Sequence, residues 1–201
     1  MQHQVAILDY GSGNLRSAER ALARHGVDPV LTSDPGEALE ATALLVPGVG
    51  AFGACMDGLR EIRGPEVIAQ RAADQRPTLG ICVGMQVMFA AGLEHGRYAG
   101  CGVWEGDVDT LRAPVLPHMG WSRVPDASGA MFAGIEGESF YFVHSYAAHS
   151  DVPGAINTHA HHGEDFLAAV QDGALWATQF HPEKSGDAGA QLLGNWLAQV
   201  H

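Results

Sequence analysis

The sequence predicts an α/β protein, with a parallel sheet covered on both faces followed by a β-rich second half. Three observations lead there. In the first ninety residues, short apolar runs alternate with helical stretches through brief connections, the pattern of a parallel sheet. From residue 103 to 178 the segments read as strands and turns. The 201 residues are 46% apolar and 17% charged, enough to bury a sizeable core and the length of one ordinary domain.

The elements follow in order. Residues 5–8 form an apolar run ending at Asp9, and Tyr10-Gly11-Ser12-Gly13-Asn14 makes a turn. Asn14 is placed to cap a helix running to about His25, with Gly26 as its stop. Strands are expected at 27–31 and 43–46, with a short helix at 34–40 between them. Beyond Pro47-Gly48-Val49-Gly50, helices are expected at 52–60 and 65–74, then a buried strand at 78–81 and a helix at 83–91. The second half reads as β at 103–111, 121–124, 139–143, 155–157, 166–171 and 174–178, the last two joined as a hairpin through Asp172-Gly173. A closing helix spans 186–199, with Leu192, Leu193, Trp196 and Leu197 as its apolar stripe. No linker, repeat or low-complexity tract interrupts residues 1–201, which read as a single domain.

Charge narrows the partners. Lys and Arg number 11 against 23 Asp and Glu, a net charge of −12, and Lys184 is the one lysine. An acidic chain with no basic run argues against nucleic acid and against an anionic membrane surface. The uncharged stretches 41–56 and 77–93 fall short of a bilayer span and are broken by turn formers. The N-terminus enters a strand pattern directly, without a secretory signature. Three cysteines, Cys55, Cys82 and Cys101, cannot form a closed disulfide set and none lies in a CxxC pair. A reducing, cytoplasmic location is expected.

The strongest chemical signal is Thr78-Leu79-Gly80-Ile81-Cys82-Val83-Gly84-Met85-Gln86. An apolar strand runs into a residue with glycine two positions to either side, and a helix follows, the layout of a nucleophile elbow. At such a turn the sulfur projects above the sheet edge at a helix N-terminus, where unpaired amides favour the thiolate. A buried core cysteine beside two packing glycines would give the same letters. Among eleven histidines, His181 is the best placed proton shuttle, since it follows a strand directly and Glu183 stands two residues on to orient it. An isolated His-Pro turn would be unremarkable; paired with the elbow it points to catalysis. Glycines on both sides of Val49 allow a peptide N–H to turn into a pocket, where with the amide of Val83 it could form an oxyanion hole. His159, His161 and His162 have no second cluster to complete a metal site and read as a solvated loop. The 10–14 turn lacks the full dinucleotide-binding pattern, so no cofactor is expected.

These segments resemble the class I (triad) glutamine amidotransferases. Gly80-Ile81-Cys82-Val83-Gly84-Met85-Gln86 is similar to that family's nucleophile motif, and His181-Pro182-Glu183 to its His-Pro-Glu motif. Within the family the likeness is closest to the glutaminase subunits of imidazole glycerol phosphate synthases. It is carried by Asp9-Tyr10-Gly11-Ser12-Gly13-Asn14-Leu15, Pro47-Gly48-Val49-Gly50-Ala51-Phe52, Pro117-His118-Met119-Gly120-Trp121, Tyr141-Phe142-Val143-His144-Ser145-Tyr146 and Lys184-Ser185. Val83 stands where the family usually has Leu, which leaves a backbone donor unaffected.

The resemblance implies a flavodoxin-like three-layer sandwich, with a mostly parallel sheet and an added antiparallel portion. It implies a catalytic triad of Cys82, His181 and Glu183, an oxyanion hole from Val83, Val49 and Gly50, and glutamine held by Gln86 and the His144-Ser145 backbone. It implies no metal or cofactor, and a heterodimer with a (β/α)8-barrel cyclase that uses the ammonia to make imidazole glycerol phosphate and an aminoimidazole carboxamide ribotide in histidine biosynthesis. Asn14, His118, Trp121, Tyr141 and Lys184 are the candidates for the partner-facing surface, with Lys184 at the ammonia entrance. The Val49 peptide is the candidate switch by which the partner raises a weak resting turnover. Three rivals stay open from the sequence: a glutaminase serving another synthase, a stand-alone cysteine hydrolase, and an interaction subunit whose triad is idle.

Overall fold

A computed structural model describes residues 4–12 and 14–200. Its first half runs β1 (Val5–Leu8), α1 (Leu15–Ala23), β2 (Val30–Thr32), α2 (Pro35–Glu40), β3 (Ala43–Gly48), α3 (Phe52–Glu61), α4 (Gly64–Ala73), β4 (Thr78–Cys82) and α5 (Val83–Gln86). The second half runs β5 (Phe89–Gly92), β6 (Tyr98–Ala99), β7 (Trp104–Thr110), β8 (His118–Arg123), β9 (Ser139–His144), β10 (Tyr146–Ala148), β11 (Ile156–His162), β12 (Glu164–Asp172), β13 (Leu175–Thr178) and α6 (Gly186–Leu197).

Seven strands form the main sheet in the order β11-β12-β13-β4-β3-β1-β2. β2, β1, β3, β4 and β13 are parallel, and β12 pairs antiparallel with both β13 and β11. β1, β3, β4 and β13 are buried along their whole length. That is why they read as unbroken apolar runs rather than alternating ones. The β1–β2 and β2–β3 crossovers run in opposite directions along the sheet, so right-handed connections place α1 and α2 on opposite faces. α1 packs with α6, and α4 packs with both α2 and α3. Smaller sheets β10-β7-β5-β6 and β8-β9 supply the added β portion. The β12–β13 hairpin turns at Gly173, φ 55.

Three expectations need correction. The helix expected at 83–91 ends at Gln86, and its latter part becomes β5. Val83 to Phe89 are all buried, so no polar face exists to sustain an amphipathic helix, and Phe89 instead pairs with Trp104 of β7. The strand expected at 27–31 begins only at Val30. His159, His161 and His162 lie on β11, not on a loop. The inward residues there are the small Thr158 and Ala160, so the alternation is faint in the sequence.

One fully buried cation braces the first half. The Arg71 guanidinium, on α4, donates to the carbonyls of Ala38, Leu39 and Ala41 at the end of α2, to the Pro77 carbonyl, and to Thr78 Oγ1 at the start of β4. It therefore satisfies helix-terminal acceptors that would otherwise be buried unpaired. Burial, with Arg76 nearby, lowers its pKa to about 10, so it stays charged at neutral pH. Replacing it strands several acceptors at about 1–3 kcal/mol each. Arg71→Met is expected to lower the unfolding free energy by about 3 kcal/mol or more in urea titration; a loss under about 1 kcal/mol would show that the carbonyls find other partners.

Candidate active site

Because β3, β4 and β13 are adjacent and parallel, their C-terminal ends deliver three distant segments to one edge of the sheet. Gly48 is in register with Cys82, and Thr178 with Ile81. Cys82 closes β4 at φ 57, ψ −114. A side-chain-bearing residue held in such a conformation carries strain of order 1–3 kcal/mol. Close packing holds it there: a Cβ on Gly84 would overlap the Val46 carbonyl, and one on Gly48 would overlap the Gly84 amide. The glycines are thus required by backbone contact between β3 and α5.

The His181 and Glu183 side chains are 2% and 3% exposed, with Nδ1 lying 2.7 Å from Oε1. Since the carboxylate only accepts, Nδ1 carries a proton and Nε2 is left for the thiol. Burial alone would push the imidazole down, but hydrogen bonds to Cys82 and Glu183, together with the charges of both, outweigh it and lift His181 to about 9. At neutral pH it is an imidazolium able to give up a proton.

A cavity of about 330 Å³ opens over these groups. Cys82, His181, Val83, Val49, Gly50, Gln86, His144, Ser145 and Lys184 all line it. Such a volume lies at the small end of the range for ligand pockets. Glu94, which no motif singled out, lines it as well, while its Oε2 accepts from the Phe52 amide 2.8 Å away at the start of α3. Its signal in the sequence was that it ends the uncharged stretch 77–93.

Three candidates sit differently from expectation. The Val49 N–H does not face the cavity: it donates to Ser12 Oγ at 2.9 Å, while Cys55 Sγ donates to the Val49 carbonyl at 3.4 Å. Asn14 does stand at the start of α1, yet its side chain makes no cap. It reaches across to Glu183 Oε1 at 3.0 Å, which ties it to the carboxylate beside His181. Gly13 lies outside the described residues. His118 is 3% exposed, stacked between Phe142 and His162, so it is no surface residue. Trp121 is 58% exposed, with Tyr141 edge-on beside it, and Lys184 is exposed. Gln179, fully buried beside Cys82, was missed because nothing in a strand-end Gln announces burial. Among the described residues no group of three or more His, Cys, Asp or Glu stands together as a metal site, and no helix is long and apolar enough to cross a membrane.

A strained cysteine at a parallel strand end, with an imidazole–carboxylate pair just beyond the end of the neighbouring strand, defines a class: this chain belongs to the class-I glutamine amidotransferases, whose family profile matches residues 6–200. More particularly, it is 57% identical over the whole of both chains to the imidazole glycerol phosphate synthase subunit HisH of Thermobifida fusca (strain YX). The HisH subunit of Mycobacterium bovis is 58% identical over 96% of each chain. Among solved structures, a glutamine amidotransferase superposes with a TM-score of 0.78 at 20% identity over 98% of each chain. The glutaminase domain of Trypanosoma brucei CTPS gives 0.63 at 14% identity, over 98% of this chain and 94% of that one. Those two likenesses show the fold.

The imidazoles also set a pH profile. Burial lowers His118 to about 4 and His144 to about 3. Between pH 6.5 and those values the unfolded chain binds two protons that the folded chain refuses, so stability falls as pH falls. His181 works in the opposite sense: its contribution is complete below pH 6.5 and is lost as pH rises through about 9. In urea titrations across pH, His118→Gln is expected to make the acid limb shallower by about 1.4 kcal/mol per pH unit; an unchanged slope would contradict the burial assignment.

Proposed function

We propose that this chain is the glutaminase subunit of an imidazole glycerol phosphate synthase in histidine biosynthesis. It hydrolyses glutamine to glutamate and ammonia. The ammonia passes to a (β/α)8-barrel cyclase subunit, with which the chain forms a heterodimer, to make imidazole glycerol phosphate and the aminoimidazole carboxamide ribotide. Residues 1–201 act as one domain, and three unpaired thiols suit the reducing cytoplasm. The observation that carries the reading is the buried His181–Glu183 pair beside the strained Cys82.

In the proposed mechanism the Cys82 thiolate attacks the side-chain amide carbon of glutamine. His181, held by Glu183, whose carboxylate also accepts from Asn14, gives its Nε2 proton to the departing ammonia and leaves a glutamyl thioester. The now neutral imidazole takes a proton from water, whose oxygen attacks the thioester and releases glutamate. The amide of Val83, at the start of α5, is one oxyanion donor. Val49 or Gly50 supplies the second only after the Val49 peptide leaves Ser12, which makes that hydrogen bond the resting brake. Gln86 and the His144-Ser145 backbone hold the α-amino and α-carboxylate groups, and Glu94 adds the negative charge that attracts the ammonium end. We assign the cyclase-facing surface to the cavity rim, where Met119 and Trp121 of β8 are 62% and 58% exposed and the Tyr141 carbonyl accepts from the His181 amide at 2.9 Å. A cyclase docked there would sit over Lys184 and the cavity mouth.

Ammonia release from glutamine, measured with and without a purified cyclase subunit and its nucleotide ligand, tests the assignment. Cys82→Ala in the assembled pair is expected to abolish release, and persistence would remove Cys82 as nucleophile. Ser12→Ala, which frees the Val49 amide, is expected to raise partner-free turnover by about five-fold, the worth of one neutral hydrogen bond. Unchanged turnover would relieve Ser12 of the brake.

A further inference from the structure

We propose that Gln179 is a positioning residue for the nucleophile: its side-chain amide, locked in one orientation by Gln86, donates a hydrogen bond to Cys82 Sγ and ties the wall of the glutamine cavity to the thiolate. The inference rests on the reading of Cys82 as nucleophile and goes beyond the triad. Gln179 is fully buried, between the end of β13 and His181. Its Nε2 lies 3.7 Å from Cys82 Sγ, and its Oε1 accepts from Gln86 Nε2 at 2.9 Å.

The polarity of this chain follows from one backbone atom. Gln86 Nε2 also donates to the Tyr146 carbonyl, 2.8 Å away. A carbonyl can only accept, so the Gln86 nitrogen must face it. The same NH2 then meets Gln179 through its oxygen, which leaves the Gln179 NH2 turned to the sulfur. Flipping either amide would set like groups against each other in a buried space, at a cost of several kcal/mol by the usual price of unpaired polar atoms. The carbonyl is held from its other side as well. His144 Nδ1 donates to it at 3.0 Å, so His144 Nε2 accepts from His118 Nδ1 at 3.1 Å, and His118 Nε2 accepts from the Ser122 hydroxyl at 2.8 Å. Every donor in the series thus has one direction, from Ser122 on β8 to Tyr146, and from Gln86 through Gln179 to Cys82.

An N–H aimed at sulfur discriminates between its two forms, because a hydrogen bond to an anion is roughly twice as strong as one to a neutral acceptor. Gln179 therefore favours the thiolate from the strand side while His181 does so across the cavity. It also fixes Gln86, whose remaining oxygen is the one atom of that amide free to meet the substrate.

Iodoacetamide alkylation of Cys82, read by peptide mass mapping across pH in the full-length chain, tests the proposal. In Gln179→Met and Gln179→Glu the alkylation rate at pH 7 is expected to fall about ten-fold and the pH midpoint to rise by about one unit, the scale of one hydrogen bond to a charged group. A folded Met variant with the unaltered profile overturns the proposal, since a merely space-filling glutamine would leave that midpoint in place. A second measurement needs no substitution at Gln179. In the 15N-labelled chain the Gln179 side-chain amide should shift with the same pH midpoint as Cys82 alkylation and lose that shift in Cys82→Ala; an amide that ignores the thiol's titration also overturns it. Neither readout uses glutamine or the cyclase, so each can fail while the ammonia-release result stands.

Discussion

The site depends on a contact between two pieces of backbone. Where β3 ends and α5 begins, the Val46 carbonyl and Gly84 come together with no room for a side chain. That closeness forces the chain to leave β4 in a single residue and puts Cys82 at φ 57, where its sulfur stands clear of the sheet. The strain is small beside the packing that enforces it, because β4 is fully buried and hydrogen bonded to β3 and β13 along its length. At the other end of β4, Arg71 ties Pro77 and Thr78 to α2. A thiol anchored this way is held in place by backbone packing alone.

Electrostatics then separates two imidazoles of one cavity. His181 and His144 are both buried and both line the same cavity. One has Cys82 and Glu183 to support its charge and titrates near 9; the other is desolvated by burial, which its hydrogen bond to the Tyr146 carbonyl does not offset, and titrates near 3. Pushing two titratable groups apart in this way leaves one charged at neutral pH while the other remains a neutral, fixed hydrogen-bond donor. The fixed rings matter because a neutral His144 must choose which nitrogen carries its proton, and that choice orders the hydrogen bonds leading to Gln86.

Much of the fold was legible because parallel strands buried on both faces leave uninterrupted apolar runs, as at Val5–Leu8 and Thr78–Cys82. Legibility failed where one segment's surroundings outweighed its own pattern. Val87 to Phe89 carry no periodicity that separates helix from strand, and β7 decided the matter by pairing. β11 hides its alternation behind the small inward Thr158 and Ala160 and a run of histidines on both faces, His159 and His161 outward and His162 stacked on His118. Asn14 has the letters of a helix cap, but Glu183, 169 positions away, offers its amide a charged partner instead. His118 looked like a surface aromatic until Phe142, His144 and His162 closed around it.

By itself the sequence determined the α/β class, the elbow, and the identities of thiol, imidazole and carboxylate, because glycine spacing and strand ends are local requirements written into neighbouring residues. Only the tertiary structure decided which way groups point: that the Val49 amide is held by Ser12, that Asn14 donates to Glu183, and that Gln179 faces sulfur with its nitrogen. Hydrogen-bond direction depends on partners that the chain brings from far away, and an amide or imidazole carries no mark in the sequence of which of its atoms will meet a donor.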